Sequence, residues 1–163
     1  MISRPLFIHV PKTGGSTIRD TFGDAIRYAD HRPRRMFPRG MWSFGFVRNP
    51  WDRMVSWYYW RDLNAKPEGF APWVLGGGAD TLATTRRDAE YLLAGCDTVY
   101  RFENFPESVQ DIAGRLGVEV RLTPRVNVNT RKPADLDWRA LYTPETFAKV
   151  AAVCRWEVER FYS

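Results

Sequence analysis

The chain has 163 residues, 44% apolar and 15% aromatic, enough to bury a core and too apolar for extended disorder. Its formal net charge of +5 favours anionic partners without choosing among nucleotides, acidic saccharides, nucleic acid and acidic lipid. No internal repeat, low-complexity tract or apolar run long enough to span a bilayer is present.

The chain runs almost at once into Leu6-Phe-Ile-His-Val10, a short apolar segment between Pro5 and Pro11 that predicts a buried strand. Lys12-Thr-Gly-Gly-Ser-Thr17 follows as a turn. Ile18, Phe22 and Ile26 then recur at fours, one face of a helix. Residues 31 to 41 read as a basic loop with two prolines. A second apolar strand runs from Trp42 to Val47. Asn49 suits a helix N-cap and Pro50 the first helical position, with Trp51, Met54, Val55 and Tyr58 as the core-facing stripe. Residues 64 to 80, with Gly76-Gly-Gly78, predict an irregular surface segment. Thr85 to Ala94 predicts a helix stopped by Gly95, and Thr98 to Phe102 another strand. A helix from Asn104 carries Val109, Ile112 and Leu116 up to Gly117. A loop over 121–135 precedes a terminal helix opened by Thr143-Pro144 and carrying Phe147, Val150, Cys154, Val158 and Phe161.

Strands alternating with helices predict an α/β fold in one domain over residues 1–163, with a parallel sheet covered on both faces. Cys96 and Cys154 are widely spaced and read as reduced thiols. With no apolar leader at the N-terminus, they predict a cytoplasmic protein. The two cysteines and two histidines have no metal-ligand spacing in sequence, so no metal is expected.

Two segments carry chemistry. In Pro11-Lys-Thr-Gly-Gly-Ser-Thr17, Gly14 and Gly15 let an anion approach backbone N–H groups at a helix start. Lys12 adds a charge, and Thr13, Ser16 and Thr17 add hydroxyl donors. The lysine precedes the glycines, so this is not a Walker A motif. In the second segment Arg48 closes a strand and Ser56 lies eight residues on. With Asn49 as cap, Arg53, Ser56 and Trp60 share a face opposite the apolar stripe, and Arg48 with Ser56 can clamp one anion. Both segments follow strands of one sheet, so a single ligand with two anionic groups explains both.

These segments resemble the sulfotransferase superfamily, specifically the Golgi-type carbohydrate branch and its bacterial relatives. Pro11-Lys-Thr-Gly-Gly-Ser-Thr17 resembles the loop that holds the 5′-phosphosulfate, with the last two hydroxyl residues exchanged. Val47-Arg-Asn-Pro-Trp-Asp-Arg-Met-Val-Ser56 resembles the segment that holds the 3′-phosphate. Arg101-Phe-Glu-Asn-Phe105, Asn127-Val-Asn-Thr-Arg-Lys132 and Tyr142-Thr-Pro-Glu145 match weaker family segments.

The resemblance implies a three-layer, P-loop-like fold with a short central parallel sheet flanked by helices. It implies transfer of a sulfuryl group from 3′-phosphoadenosine 5′-phosphosulfate (PAPS) to an acceptor hydroxyl or amine, on a carbohydrate first, leaving 3′,5′-bisphosphoadenosine (PAP), with no metal required. It casts Lys12, Thr13, Gly14, Gly15, Ser16, Thr17, Arg48 and Ser56 as donor-binding residues, with Lys12 also catalytic. His31 is placed as the base, with Asp30 and Glu103 as rivals. His9 is expected to be structural, and Arg131 and Lys132 fall in a loop that closes over the nucleotide. Arg32, Arg34, Arg35 and Arg39 either dock an anionic acceptor or form a solvated charge run. The segment around residues 60 to 82 is short for the family. A P-loop-type nucleotide kinase and a non-catalytic module for anionic glycan or nucleic acid are the alternative functions.

Overall fold

A computed structural model describes residues 4–60, 68–120 and 131–163 of the protein. Residues 64–67 of the segment expected to be irregular, and residues 121–130 of the C-terminal loop, lie outside the described residues.

Four parallel strands form one sheet in the order β2-β1-β3-β4: β1 Leu6–Ile8, β2 Arg27–Tyr28, β3 Ser43–Val47 and β4 Thr98–Arg101. The register sets Leu6 beside Ser43 and Phe44 beside Thr98. Side chains alternate across the sheet, as a pleated strand requires. Phe7, Phe44 and Phe46 pack against α1 (Gly15–Phe22) and α5 (Phe105–Leu116) through Ile18, Phe22, Val109 and Ile112. Leu6, Ile8 and Val47 face the other way, onto Ala89, Leu92 and Leu93 of α4 (Ala89–Leu93). Gly45 of β3 lies under Leu93, where a Cβ would overlap the leucine. Helices therefore cover both faces, and the three-layer α/β expectation holds.

A further core lies beside the sheet. There α2 (Pro50–Trp60) packs on α6 (Pro144–Val153) through Trp51, Met54, Val55, Val150 and Cys154. Trp51 stacks on Phe147 with ring centroids 4.1 Å apart, a contact that joins chain segments distant in sequence. Thr143 and Thr146 form a capping box at the start of α6, as Thr143-Pro144 suggested.

Several boundaries differ from expectation. The first helix ends at Phe22, because Gly23 adopts φ 45° and its N–H bonds the Arg19 carbonyl. Ile26 is therefore extended and leads into β2, a two-residue strand without a sequence signal of its own. Residues 70–83 are largely helical: α3 (Phe70–Trp73) runs into a wide turn over Val74–Gly78 and a tighter one over Ala79–Ala83. Gly78 is buried there against the Trp73 ring. The terminal helix breaks at Cys154 into α6 and the short α7 (Arg155–Glu157), followed by a helical turn over Val158–Tyr162. Among the described residues no helix is long and apolar enough to cross a membrane.

Candidate active site

The carboxyl ends of all four strands open on one edge of the sheet. Lys12 and its glycines follow β1, Asp30 and His31 follow β2, Arg48 follows β3, and Phe102 and Glu103 follow β4. Strand order reverses between β1 and β3: the chain leaves β1 for β2 on one side, then returns to build β3 on the other. In open parallel sheets the crevice at such a switch takes the ligand. The crevice here lies between the Lys12 loop and Arg48, and Arg48 Nη1 donates to the Lys12 carbonyl at 3.1 Å.

The first loop is held in an uncommon shape. Lys12 has φ 69°, and Gly14, the N-cap of α1, has φ 84°. Gly14 has no side chain with which to cap α1, and a helix start of this kind suits an anion. The His9 ring covers Gly15, where a Cβ would overlap it. Thr13 is fully buried and its hydroxyl donates to the Val10 carbonyl at 2.7 Å. That bond braces the loop and commits the hydroxyl proton of Thr13 to the Val10 carbonyl in this structure. Thr17, one turn on, is buried and has no hydrogen-bond partner among the described residues.

Lys12 Nζ sits 3.8 Å from the centre of the Trp60 ring, which is 46% exposed at the crevice mouth. Burial, and then the neighbouring Arg48 charge, push the Lys12 ammonium down to about 8. An arriving anion would favour the ammonium and so oppose that shift.

The second segment folds as the sequence indicates at its start. Asn49 Oδ1 accepts the N–H groups of Trp51 and Asp52 at 3.1 and 3.2 Å, and Pro50 opens α2. Beyond that the structure redraws the clamp. Arg48 and Ser56 share no hydrogen bond among the described residues. Arg48 instead directs Nε and Nη2 at Asp52 Oδ2, at 2.8 and 2.7 Å, with its guanidinium 4.6 Å from the Phe102 ring centre. Lys132 approaches the other Asp52 oxygen at 3.3 Å. One carboxylate thus holds two cations at the crevice wall. Ser56 is buried with its hydroxyl unpartnered among the described residues.

Arg53, expected on a polar face beside Ser56 and Trp60, is 1% exposed. Its Nε donates to the Pro11 carbonyl at 3.2 Å, its Nη1 to Glu157 at 2.9 Å and its Nη2 to the Arg87 carbonyl. It is a strut under the first loop. Nothing local in the sequence marks this, because Glu157 lies 104 residues away.

His31 follows β2 after Asp30, whose φ of 53° turns the chain back over the sheet edge. Its Nδ1 lies 2.9 Å from the His9 carbonyl. A carbonyl only accepts, so Nδ1 carries a proton, and in the neutral ring Nε2 keeps the lone pair. His31 is half-buried and its ring centre is 4.7 Å from that of His9. His9 bonds the Tyr28 hydroxyl through Nδ1, and burial, reinforced by the His31, Arg19, Lys12 and Arg53 charges, pushes it down to about 3. Glu103 is engaged by the Asn49 N–H at 2.6 Å and the Tyr162 hydroxyl at 2.8 Å.

The basic loop divides. Arg34 is buried and ties Ser43 Oγ, at 2.7 Å, to the Phe37 and Pro38 carbonyls, so it is structural and not a docking residue. Arg35 lies on the Tyr91 ring and Arg32 on the Phe37 ring, both exposed. Cys96 and Cys154 are free thiols that burial pushes up to about 12, which makes both poor nucleophiles.

A family model described as the sulfotransferase family matches residues 5–118. The chain belongs to the sulfotransferase family. The match spans the Lys12 loop, the Arg48 segment, His31 and Glu103, so the family's region coincides with the crevice. The carbohydrate branch that the sequence resembles is consistent with it. No curated protein and no solved structure matches the chain. Membership supports a transferase that moves sulfuryl groups.

Proposed function

We propose that this sulfotransferase takes its sulfuryl group from PAPS and passes it to a hydroxyl, with a carbohydrate as the foremost acceptor class. The observation that carries the reading is the pairing of Lys12 and Arg48 across the β1/β3 switch, joined at 3.1 Å through the Lys12 carbonyl. Two cationic loops side by side suit a ligand with two separated anionic groups. Buried hydroxyls without partners among the described residues, Thr17 on one loop and Ser56 on the other, fit the same ligand, since such groups ordinarily find an acceptor or donor.

The donor, when bound, supplies a sulfuryl group on a phosphate leaving group. The amides of Gly14, Gly15, Ser16 and Thr17 and the Ser16 and Thr17 hydroxyls hold its 5′ end. Arg48 and Ser56 hold its 3′-phosphate. Lys12 neutralises the bridging oxygen that departs with the electron pair, leaving PAP. His31 Nε2 takes the acceptor's proton as the new oxygen–sulfur bond forms. In this reading Trp60 offers an exposed aromatic face beside Lys12 on which a sugar ring can stack.

The test is calorimetric titration with PAP, ATP and ADP, on the wild type and Arg48→Ala. Tight PAP binding that falls about 10- to 100-fold in the variant, the worth of a charge-assisted contact, supports the reading. Equal or tighter ATP binding, or indifference to Arg48, overturns it and moves the kinase alternative to the front.

A further inference from the structure

His9, Asp30 and His31 come together although the sequence scatters the first from the other two. One ligand atom from each lies within 4.8 Å of the others. The His9 carbonyl holds the His31 Nδ1–H, so in the neutral ring Nε2 presents a lone pair, and Asp30 Oδ1 stands 3.5 Å from that nitrogen. A lone pair facing a carboxylate is a repulsive arrangement until a proton or a metal ion lies between them. His9 adds a neutral imidazole whose Nδ1 is engaged with Tyr28; with Nδ1–H donating to that hydroxyl oxygen, Nε2 is left for ligation.

We propose that these three residues form a site for a divalent transition metal, with Zn²⁺ the best fit to two imidazoles and one carboxylate. Metal–nitrogen distances of about 2.0–2.1 Å require the three donor atoms to draw closer than they stand. Asp30 is exposed and His31 half-buried, so their side chains can make that movement while His9 stays wedged over Gly15. The cations around His9, namely Lys12, Arg19 and Arg53, oppose the ion and keep its affinity modest. Coordination uses the His31 Nε2 lone pair and involves no electron transfer. If His31 is the base, which rests on the function proposed above, the bound ion withholds that nitrogen from the acceptor and inhibits transfer reversibly.

The experiment is titration of tag-free protein with Zn²⁺ by calorimetry and with Co²⁺ by absorption, on the wild type, Asp30→Asn and His31→Gln. One-to-one binding, a Co²⁺ spectrum without a thiolate charge-transfer band, and a loss of affinity of at least about tenfold in each variant are expected. Absent binding, binding unchanged in both variants, or a thiolate band pointing to Cys96 or Cys154, overturns the site. Each variant's native fold is checked by its melting transition and by PAP titration, which reads the donor crevice independently. Zn²⁺ bound at the site with undiminished sulfuryl transfer would overturn the inhibitory half and fall on the role of His31, leaving the family's chemistry untouched.

Discussion

Arg53 Nη1 lies 2.9 Å from Glu157 Oε1, with the arginine 1% and the glutamate 4% exposed. The pair joins the loop after β1 to the last helix, because the same guanidinium also holds the Pro11 carbonyl. Burial pushes the Glu157 carboxyl up while the Arg53 charge pulls it back down, so the ion pair persists only as a pair.

Removing one partner leaves the other buried and uncompensated. Arg53→Met is expected to cost about 3–5 kcal/mol in denaturant unfolding. Combining it with Glu157→Leu should recover much of that loss, since two apolar side chains leave no orphaned charge. A double variant as unstable as the sum of the singles would show that the two residues act separately.

Lys12 should act on rate more than on binding. Lys12→Ala is expected to lower single-turnover transfer by about 10²–10³, the usual worth of one charge-stabilising donor, with a smaller change in PAP affinity. Transfer at the wild-type rate would remove Lys12 from the reaction.

The displaced titration of Lys12 gives a pH limb with a defined sign. The ammonium is the useful form, and it is lost as pH rises through about 8. The kcat/KM profile, which reports the free enzyme, should therefore fall above that pH. Lys12→Arg should abolish that limb whatever its effect on the maximum. A profile flat to pH 10 in the wild type would contradict the assignment.

Asp52 holds Arg48 and Lys132 by one carboxylate. In Asp52→Asn the amide keeps a hydrogen-bond acceptor near Arg48 while one negative charge leaves the crevice wall. At about 4 Å in water a unit charge is worth about 1 kcal/mol, so PAP should bind about fivefold more tightly. Weaker binding would show that the carboxylate's orientation of Arg48 outweighs its charge.

Gly15→Ala drives a methyl group into the His9 ring. Overpacking of this kind costs about 1–3 kcal/mol, and here it also displaces the amides at the start of α1. The variant should lose thermal stability and PAP affinity together, and His9→Ala in the same chain should restore part of both. Unaltered binding in Gly15→Ala would place the anion elsewhere.

The parts of the fold that were legible in sequence are those set by local rules. The strand-turn-helix around Lys12, the Asn49 cap with Pro50, and the helix start at Thr143-Pro144 each follow from residue types at fixed offsets. The parallel sheet then places Lys12 and Arg48 on one edge, as the order of motifs implied, and β2 brings His31 to the same edge. What escaped depends on distant partners. Arg53 reads as part of the face opposite the apolar stripe of α2, and its burial there depends on Pro11, Arg87 and Glu157. Arg34 sits in a basic run but is drawn inward by Ser43 and two carbonyls. The strand β2 is too short to show alternation, and only pairing with β1 makes it a strand. His9, Asp30 and His31 meet because β1 and β2 are neighbours, a proximity that ligand spacing along the chain does not encode.

The adjacency of β1 and β3 fixes the reach of the crevice in a way that loop length does not. Neighbouring strands stand about 4.8 Å apart, so the starting points of the Lys12 and Arg48 segments are spaced by a hydrogen-bond ladder. The stretches 31–41 and 69–88 lie outside that ladder. They carry parts that the core needs, such as Arg34 against Ser43 and the Arg87 carbonyl on Arg53, yet their length does not set the spacing between those two starting points. The sheet in this sense acts as a gauge: the ladder between β1 and β3, and not the length of any loop, sets how far apart the two cationic segments begin.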